Sequence, residues 1–367
     1  MRNLFIGLMS GTSLDGVDGV LVDFMDDRMQ VRQYATRPFA PALKAELLDL
    51  NTPGDNELHR AALAANGLVA VYAEVVQLLL EQSGTHAAQV EAIGAHGQTV
   101  RHRPQEFGGT GYTLQLNNPA LLAELTGTTV VADFRSRDVA AGGQGAPLVP
   151  AFHQQVFGRA GETVAVLNIG GISNLSILDG QILGFDCGPG NALMDYWCQL
   201  HTGQPYDANG AWAASGTVQP ALLAALLDEP YLAKAPPKST GRDLFNPAWL
   251  ASKLQGFTEL APVDVQATLT ELTASAIATC MSSYGKNSNQ LIVCGGGALN
   301  GYLMQRLQAL LPGIQVQSSA AHGLPPLQVE AAAFAWLARQ TVLGQPGNLA
   351  SVTGARGERV LGAVYPG

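Results

Sequence analysis

The strongest constraint on the fold is a short pattern that occurs twice in the chain. Ile6–Thr12 combines the end of an apolar strand with a tight loop of small residues, and Leu167–Ser173 repeats this arrangement. In both places the loop is followed by residues typical of a returning strand. Each copy opens one half of a chain of 367 residues, a length that suits about two domains. We therefore expect a duplicated α/β fold with a cleft between two halves.

The rest of the chain predicts mixed sheets flanked by helices. We expect three strands within Leu4–Thr36, with a turn at Asp26–Asp27, and three more strands within Thr163–Phe185. Each group of three predicts an antiparallel meander. Polar residues interrupt the apolar helical stretch within Glu57–Gln82, which favours a buried helix over a membrane span. Further strands are expected at Val90–Gly94, Tyr112–Leu116, Thr128–Phe134, Leu291–Cys294 and Ile314–Gln317, and further helices at Pro41–Leu50, Asn118–Gly127, Pro147–Phe157, Asn191–Leu200, Pro220–Leu227, Pro247–Leu254, Pro262–Ser283, Leu299–Leu311 and Leu327–Leu343.

The two copies of the pattern also suggest the domain division. We expect residues 1–135 to form the first half, with the tail at 344–367 able to pack back on it, and residues 136–343 to form the second. The net charge of −9, without clusters of Lys and Arg, argues against a nucleic-acid partner. The four cysteines form no C-x-x-C pair, and the apolar run at the N-terminus is too short for a signal peptide. We therefore expect a cytoplasmic protein with reduced thiols and no membrane segment.

The loop Ser10–Asp18 has a composition suited to binding phosphate. Its small residues allow the backbone to approach an anion, and its hydroxyl groups can donate hydrogen bonds. Asp15 and Asp18 can hold Mg²⁺ directly or through water. The alternative is a plain hairpin loop, but a similar loop at Gly170–Asn174 favours a phosphate site.

A third glycine-rich loop, Cys294–Asn300, follows a strand and opens a helix. It nearly fits the dinucleotide fingerprint, but the next strand lacks the acidic residue expected after Gln317. An NAD-dependent dehydrogenase is therefore weakly supported. The other interpretations are a glycine turn that packs a helix against a sheet, and a shelf for an adenine nucleotide.

Eight segments, taken in order, resemble those of the anhydro-N-acetylmuramic acid kinase family. They are Gly7–Asp18, Gly94–Thr99, Ala132–Arg135, Asp138–Pro150, Asn168–Asn174, Phe185–Asn191, Lys238–Arg242 and Val293–Asn300. The resemblance covers nearly the whole chain and is weakest after Gly344. It implies a two-domain actin-like ATPase fold of the ribonuclease H type, with mixed sheets, flanking helices and a central cleft.

The resemblance also implies a reaction. Members of this family convert 1,6-anhydro-N-acetylmuramic acid, ATP and water into N-acetylmuramic acid 6-phosphate and ADP, during recycling of the bacterium's own cell wall. They use Mg²⁺ and form homodimers. The expected partner is thus a small amino sugar.

Site residues follow from the same motifs. The family match places the catalytic base at Asp186. ATP contacts are expected at Gly11, Thr12, Ser13, Leu14, Asp15, Gly16, Val17, Asp18, Gly170, Gly171, Ser173, Asn174, Gly295, Gly296, Gly297 and Asn300. Substrate contacts are expected at His96, Gly97, Gln98, Thr99, Arg135 and Glu330, and Mg²⁺ ligands at Asp15 and Asp18.

Several of these residues have structural alternatives. Asp186 has the position of a cap for the helix that starts near Asn191. The alternative for His96 is a structural histidine at a turn, with its hydrogen bonds satisfied within the protein. The alternative for Arg135 is an ion pair with Asp133 or Asp138 at the surface. The alternative for Glu330 is a solvated position at the rim. At the level of the protein, the alternatives are a non-catalytic relative that uses ATP as a conformational switch, and the dehydrogenase.

Overall fold

The computed structural model describes residues 3–11, 13–25, 28–241 and 243–367, so the turn expected at Asp26–Asp27 lies outside the described residues. The strands are β1 (Leu4–Met9), β2 (Gly16–Met25), β3 (Arg28–Pro38), β4 (Val90–Ala95), β5 (Gln98–Arg103), β6 (Tyr112–Leu116), β7 (Val130–Ala132), β8 (Val164–Ile169), β9 (Ile172–Leu178), β10 (Leu183–Pro189), β11 (Gln290–Cys294), β12 (Gln315–Ser318) and β13 (Ala363–Tyr365). The helices are α1 (Pro41–Asp49), α2 (Glu57–Ser83), α3 (Pro119–Thr126), α4 (Ser136–Ala140), α5 (Val149–Phe157), α6 (Ala192–Thr202), α7 (Ala211–Ala214), α8 (Pro220–Leu227), α9 (Pro247–Lys253), α10 (Pro262–Tyr284), α11 (Gly301–Leu310), α12 (Val329–Val342) and α13 (Ala350–Thr353).

The chain divides into two compact units. Unit 1 comprises residues 1–152 and 328–367, and unit 2 comprises residues 153–327. These boundaries differ from those expected after residues 135 and 343. The main reason is α12, which packs on β1, β2 and β4 and therefore belongs to unit 1. The tail belongs to the same unit, because β13 pairs with β7.

Unit 1 is built on a six-stranded mixed sheet in the order β13-β7-β4-β1-β2-β3. Strands β1, β2 and β3 form an antiparallel meander, whereas β4 runs parallel to β1 and β7 runs parallel to β4. Leu8 on β1 lies beside Ala95 on β4. The loops that follow these two parallel strands therefore begin side by side at one edge of the sheet.

Unit 2 repeats the same arrangement. Its five-stranded sheet has the order β10-β9-β8-β11-β12, in which β8, β9 and β10 form the meander and β11 and β12 continue in parallel. This order matches β3-β2-β1-β4-β7 of unit 1 strand for strand. The duplication expected from the repeated sequence pattern is confirmed.

By length and composition alone, helix α2 is long and apolar enough to cross a membrane. In unit 1 it packs on β2 and β3 and buries one apolar face, which includes Leu68, Val75 and Leu79. Gly84, in the left-handed conformation at φ +65°, ends the helix. The expected buried helix is confirmed.

Local predictions were right where capping signals are strong. The Asn118 side chain caps α3 by accepting a hydrogen bond from Leu121 N (3.1 Å), and Gly127 ends that helix at φ +60°. The strand expected over Thr128–Phe134 is shorter, because Asp133 adopts φ +59° directly after β7. Strand β5 was missed, since its residues are mostly polar and its partner is β6 rather than the main sheet.

Two glycines allow α12 to pack closely on the sheet of unit 1. A Cβ atom at Gly7 would lie 1.8 Å from the Ala331 carbonyl oxygen, and one at Gly94 would lie 2.0 Å from the Phe334 carbonyl oxygen. Both contacts are with helix backbone, which cannot turn aside as a side chain can. The separation of β1, β4 and α12 therefore requires glycine at both positions.

This close approach predicts a large cost for the smallest side chain. We expect Gly7→Ala to lower the free energy of unfolding by about 3 kcal/mol, because a methyl group there forces strand and helix apart. The matched control is Gly180→Ala, where the added Cβ has no heavy atom within 4 Å. Urea denaturation of both variants tests the prediction, and equal stabilities would contradict it.

Candidate active site

The loops after β1 and β4 form one hydrogen-bonded group in unit 1. The Ser10 hydroxyl donates to the Gly97 carbonyl oxygen (3.0 Å), and the Gln98 side-chain amide donates to the Gly11 carbonyl oxygen (3.2 Å). His96 Nδ1 lies 3.3 Å from the Ser10 carbonyl oxygen. The segments expected to bind phosphate and sugar are thus joined by direct contacts.

His96 is buried and neutral. Arg135 donates to its Nε2 from Nη2 (2.9 Å) and Nε (3.2 Å). Because arginine carries only donors, Nε2 must accept, so Nδ1 holds the proton and donates to Ser10. Burial, together with the charge of Arg135, lowers the pKa of His96 to about 3. Both ring nitrogens are therefore occupied, and His96 orients Arg135.

Arg135 belongs to a buried charge cluster rather than to a surface ion pair. Burial lowers its pKa to about 10, and the carboxylates of Glu330 and Asp138 oppose this effect. Its Nη1 donates to the Gly145 carbonyl oxygen (2.8 Å). Asp138 is fully buried and accepts hydrogen bonds from Gly145 N and Thr353 Oγ1 (both 2.7 Å). The alternative of an ion pair with Asp133 or Asp138 at the surface is not what the structure shows, because Asp138 is buried and acts on Arg135 inside unit 1.

Glu330 lies in the first turn of α12. It is partly buried, and its charge acts on Arg135 of the same unit. The surrounding helix residues Val329, Ala331 and Ala332 are buried. Glu330 is therefore held beside a cation, which offsets the cost of placing a carboxylate on an apolar helix.

The other substrate-site candidates lie at the start of β5. Gln98 is 1% exposed, and its Oε1 is buried without a donor among the described residues. Thr99 is partly buried and accepts a hydrogen bond from the Gln115 side chain (3.2 Å). Gly97 adopts φ +80° between β4 and β5, a conformation that favours glycine.

The loop after β1 contributes more backbone than side chain. Leu14 and Val17 are buried in the core, and a Cβ at Gly16 would lie 2.1 Å from the β3 backbone. At Gly11 an added Cβ would have its nearest heavy atom at 3.8 Å. Gly11 therefore has no packing requirement for glycine, and its backbone is open to an approaching group. Thr12 lies outside the described residues.

The remaining acidic and hydroxyl side chains of this loop lie just before β2 and at its start. Ser13 is exposed, and Asp15 forms an exposed ion pair with Lys44 (3.3 Å). Asp18, on β2, accepts a hydrogen bond from the Tyr34 hydroxyl (2.6 Å). Burial raises the pKa of Asp18, and the nearby charge of Asp15 raises it further. These two carboxylates therefore repel each other.

The candidate ATP-binding glycines of unit 2 fall into two groups. Added Cβ atoms at Gly170, Gly171 and Gly296 would have their nearest heavy atoms at 3.4–3.8 Å. At Gly295 (φ +77°) and Gly297 they would lie 2.4 Å from side-chain atoms of β8. Gly295 and Gly297 thus pack the loop on the sheet, whereas the first three have room for a side chain, with the Gly170 N–H used by the Ile172 carbonyl oxygen (3.2 Å).

Two polar candidates of unit 2 are used within the protein. The Ser173 hydroxyl is buried and donates to the Gly188 carbonyl oxygen (3.1 Å). The Asn300 side chain caps α11 by accepting from Leu303 N (3.0 Å). Both hydrogen bonds fix the loops in place, so these side chains act as supports.

Asp186 lies in a cross-strand row with two amides. The antiparallel register places Asn168, Asn174 and Asp186 side by side on β8, β9 and β10. The register shifts directly after Asp186, where Cys187 forms a β-bulge, and the strand continues to Pro189. The sequence predicted a strand that ends at Phe185, whereas β10 continues to Pro189 and contains Asp186 directly before the bulge.

Two donors hold the Asp186 carboxylate. The Ser239 hydroxyl and the Thr240 backbone N–H both donate to Oδ2 at 2.9 Å. Burial raises the pKa of Asp186, while these donors and the charge of Lys238 lower it in part. The carboxylate receives its hydrogen bonds from the 239–240 segment, so the alternative of a cap for α6 is not what the structure shows.

Sequence analysis missed the residues that support Asp186. Lys238 is buried, donates to the Leu232 carbonyl oxygen (3.1 Å) and lies 5.0 Å from the centre of the Tyr231 ring. The Tyr231 hydroxyl donates to the Asp186 carbonyl oxygen (3.0 Å). The resemblance over Lys238–Arg242 was the available signal, although Arg242 itself lies outside the described residues.

The duplicated strand order, with a small-residue loop after the first strand of each unit, defines an actin-like ATPase fold. The family model described as anhydro-N-acetylmuramic acid kinase matches residues 3–367. The chain is 71% identical over 370 residues to the "Anhydro-N-acetylmuramic acid kinase" of Variovorax paradoxus (99% of each chain), and 65% identical over 388 residues to that of Albidiferax ferrireducens (100% of each). The chain therefore belongs to the anhydro-N-acetylmuramic acid kinase family.

The chain is also similar to a solved structure. It is the activator of the 2-hydroxyisocaproyl-CoA dehydratase from Clostridium difficile with bound ADPNP, with a TM-score of 0.49, 11% identity, and coverage of 90% of this chain and 92% of that chain. The family assignment depends on the family model and the two relatives alone.

The buried histidines predict how stability depends on pH. Burial lowers the pKa from 6.5 to about 3 for both His96 and His153. The unfolded chain therefore binds more protons than the folded chain between about pH 3 and 6.5, and the free energy of unfolding falls as the pH is lowered through this window. Each histidine contributes at most about 1.4 kcal/mol per pH unit.

The measurement is urea denaturation between pH 7 and pH 4.5. We expect His96→Gln to reduce the slope of the free energy of unfolding against pH by the equivalent of about one bound proton, relative to the unchanged chain. An identical slope in the two proteins would show that His96 protonates in the folded state.

Proposed function

We propose that this chain carries out the reaction for which its family is named, in a hydrolytic form. ATP phosphorylates O6 of 1,6-anhydro-N-acetylmuramic acid while water adds to C1, and the products are N-acetylmuramic acid 6-phosphate and ADP. The observation that supports this most directly is the Asp186 carboxylate, fixed by two donors beside a bulge and raised in pKa by burial.

The substrate explains why a base is needed. Its O6 is bonded to C1 in an internal acetal, so it has no proton to remove. A water molecule must attack C1 and lose a proton, the C1–O6 bond must break, and O6 must then form a bond to the γ-phosphorus as the bond to ADP breaks. One carboxylate that takes the proton from water serves both ring opening and phosphoryl transfer.

Asp186 has the properties that this step requires. A carboxylate with a raised pKa is a stronger base than an exposed one, and Thr240, Ser239 and Lys238 oppose the rise by stabilising the ionised form. The hydrogen bonds from Ser239 and Thr240 both go to Oδ2. In our proposal, the other oxygen accepts the proton from water.

The nucleotide phosphates bind, in our proposal, where glycine leaves the backbone accessible. Gly11 in unit 1 and Gly171 and Gly296 in unit 2 meet this condition, whereas the Gly170 N–H already donates to the Ile172 carbonyl oxygen (3.2 Å) and shapes the loop. Backbone N–H groups in small-residue loops bind phosphate oxygens well. The other ATP candidates, including Ser173, Asn300, Gly295 and Gly297, shape these loops.

The sugar binds, in our proposal, beside the loop after β4. Gln98 Oε1 is an acceptor without a donor among the described residues, and a sugar hydroxyl or amide would supply one. Arg135, oriented by His96 and balanced by Glu330, offers a cation for the lactyl carboxylate. Gly97 and Thr99 complete this surface.

Asp15 and Asp18 are the candidates for holding Mg²⁺. Their mutual repulsion suits a divalent cation, and Mg²⁺ is commonly bound by one or two carboxylates together with phosphates and water. The described part of the chain contains no group of three or more His, Cys, Asp or Glu side chains arranged for a metal. When bound, Mg²⁺ neutralises charge on the β- and γ-phosphate oxygens.

The proposal includes a cytoplasmic homodimer that binds neither nucleic acid nor membrane. A relative that uses ATP only as a switch would lack a need for the fixed Asp186 carboxylate. A dehydrogenase is disfavoured because Gly295 and Gly297 already have packing roles and β12 is followed by Ser319 rather than an acid.

The role of Asp186 predicts a coupled loss. We expect Asp186→Asn to lower the rates of ring opening and phosphorylation together by about 10⁴-fold, because asparagine keeps the size but cannot accept a proton. ATP affinity should be nearly unchanged. Mass spectrometry of the products formed in ¹⁸O-water measures both half-reactions.

The matched control is Asp243→Asn, which removes an exposed carboxylate from the neighbouring segment. It should retain the full rate. Release of N-acetylmuramic acid without phosphorylation by Asp186→Asn, or normal ¹⁸O incorporation at C1, would show that another residue activates water.

The glycine geometry predicts a selective effect on ATP. We expect Gly11→Val to weaken ATP binding at least about tenfold, because the added methyl groups fill the space where the phosphate approaches the backbone. Sugar binding and stability should change little, since the nearest heavy atom among the described residues, chain neighbours aside, lies 3.8 Å from the new Cβ. Calorimetry with each ligand tests this, with Gly256→Val as the control in open space.

A further inference from the structure

Tyr72 is an aromatic residue on the buried face of α2. It is 0% exposed, and the other buried residues of that helix are alanine, leucine and valine. Phenylalanine would satisfy the same packing requirement. The hydroxyl group therefore needs a separate explanation.

That hydroxyl lies between the loops that follow β1 and β4. It is 3.0 Å from Ser10 Oγ and accepts a hydrogen bond from Gly97 N at 3.0 Å. Ser10 Oγ in turn donates to the Gly97 carbonyl oxygen at 3.0 Å. Tyr72, Ser10 and Gly97 thus form a closed ring of three hydrogen bonds.

The directions of these bonds follow from the number of protons. Ser10 has one hydroxyl proton, which is donated to Gly97, so Tyr72 must donate to Ser10 Oγ. Gly97 N supplies the third bond. Every member of the ring both donates and accepts, and burial raises the pKa of Tyr72, so the phenol keeps its proton.

We propose that Tyr72 is a positioning residue that holds the loop after β1 and the loop after β4 in one fixed arrangement. This inference rests on the proposed function, in which the first loop binds ATP phosphate and the second binds the sugar. The ring lies directly next to both candidate surfaces, since Gly11 follows Ser10 and Gln98 follows Gly97. Removing the hydroxyl should therefore affect the binding of two chemically different ligands at once.

The test is Tyr72→Phe in the full chain. We expect the dissociation constants for ATP and for the anhydro sugar, measured separately by calorimetry, each to rise about three- to tenfold. Ser10→Ala breaks the same ring from the other side. If the ring acts as a unit, the double variant Ser10→Ala with Tyr72→Phe binds ATP no more weakly than the single variant that has the lower ATP affinity.

Leu79→Ala is the control for an effect that comes from lower stability alone, because it leaves a cavity two turns further along the same buried face of α2. This control should lower the melting temperature at least as much as Tyr72→Phe and leave both affinities unchanged. Unchanged affinities in Tyr72→Phe, or equal losses in Leu79→Ala, would overturn the inference. Phosphorylation by the unchanged chain is measured in parallel, because its absence would refute the proposed function instead.

Discussion

The close contact between α12 and the sheet of unit 1 determines much of what surrounds it. Gly7 and Gly94 let the helix backbone lie directly on β1 and β4. This contact fixes the first turn of α12, and with it Glu330, near Arg135. A residue far along the sequence thus acts on Arg135, which follows β7, because β1 and β4 lack side chains at the positions where the helix crosses them.

Polar groups in the two units are satisfied mainly by other parts of the chain. His96 uses both ring nitrogens, Asp138 accepts bonds from three surrounding residues, and Asp186 is held by the 239–240 segment. Such bonds remove the penalty of burial and hold the side chains in one orientation. A carboxylate fixed in this way can act on a ligand without first reorganising, which is the property that catalysis uses.

Sequence predicted the architecture well because the determining signals are local. Alternation in β1 and β2, the Asn118 cap and the helix-ending Gly127 each act within a few residues. The position of α12 in unit 1 was missed, since it depends on packing between segments more than 200 residues apart. The motif at Asp186 was found through the family resemblance, but its partners Ser239 and Thr240 are 53 and 54 residues away and follow no regular spacing.

The two kinds of glycine described above have a consequence for how such proteins vary. At Gly7, Gly94, Gly295 and Gly297 a side chain would collide with the protein itself, whereas at Gly11 and Gly170 its Cβ would make only ordinary van der Waals contacts at 3.8 Å. A substitution of the first kind would disturb folding, whereas a substitution of the second kind would leave the packing of the chain intact. An invariant glycine in relatives therefore does not by itself mark the nucleotide site, and drift at the open positions would signal a change of ligand in a chain that still folds.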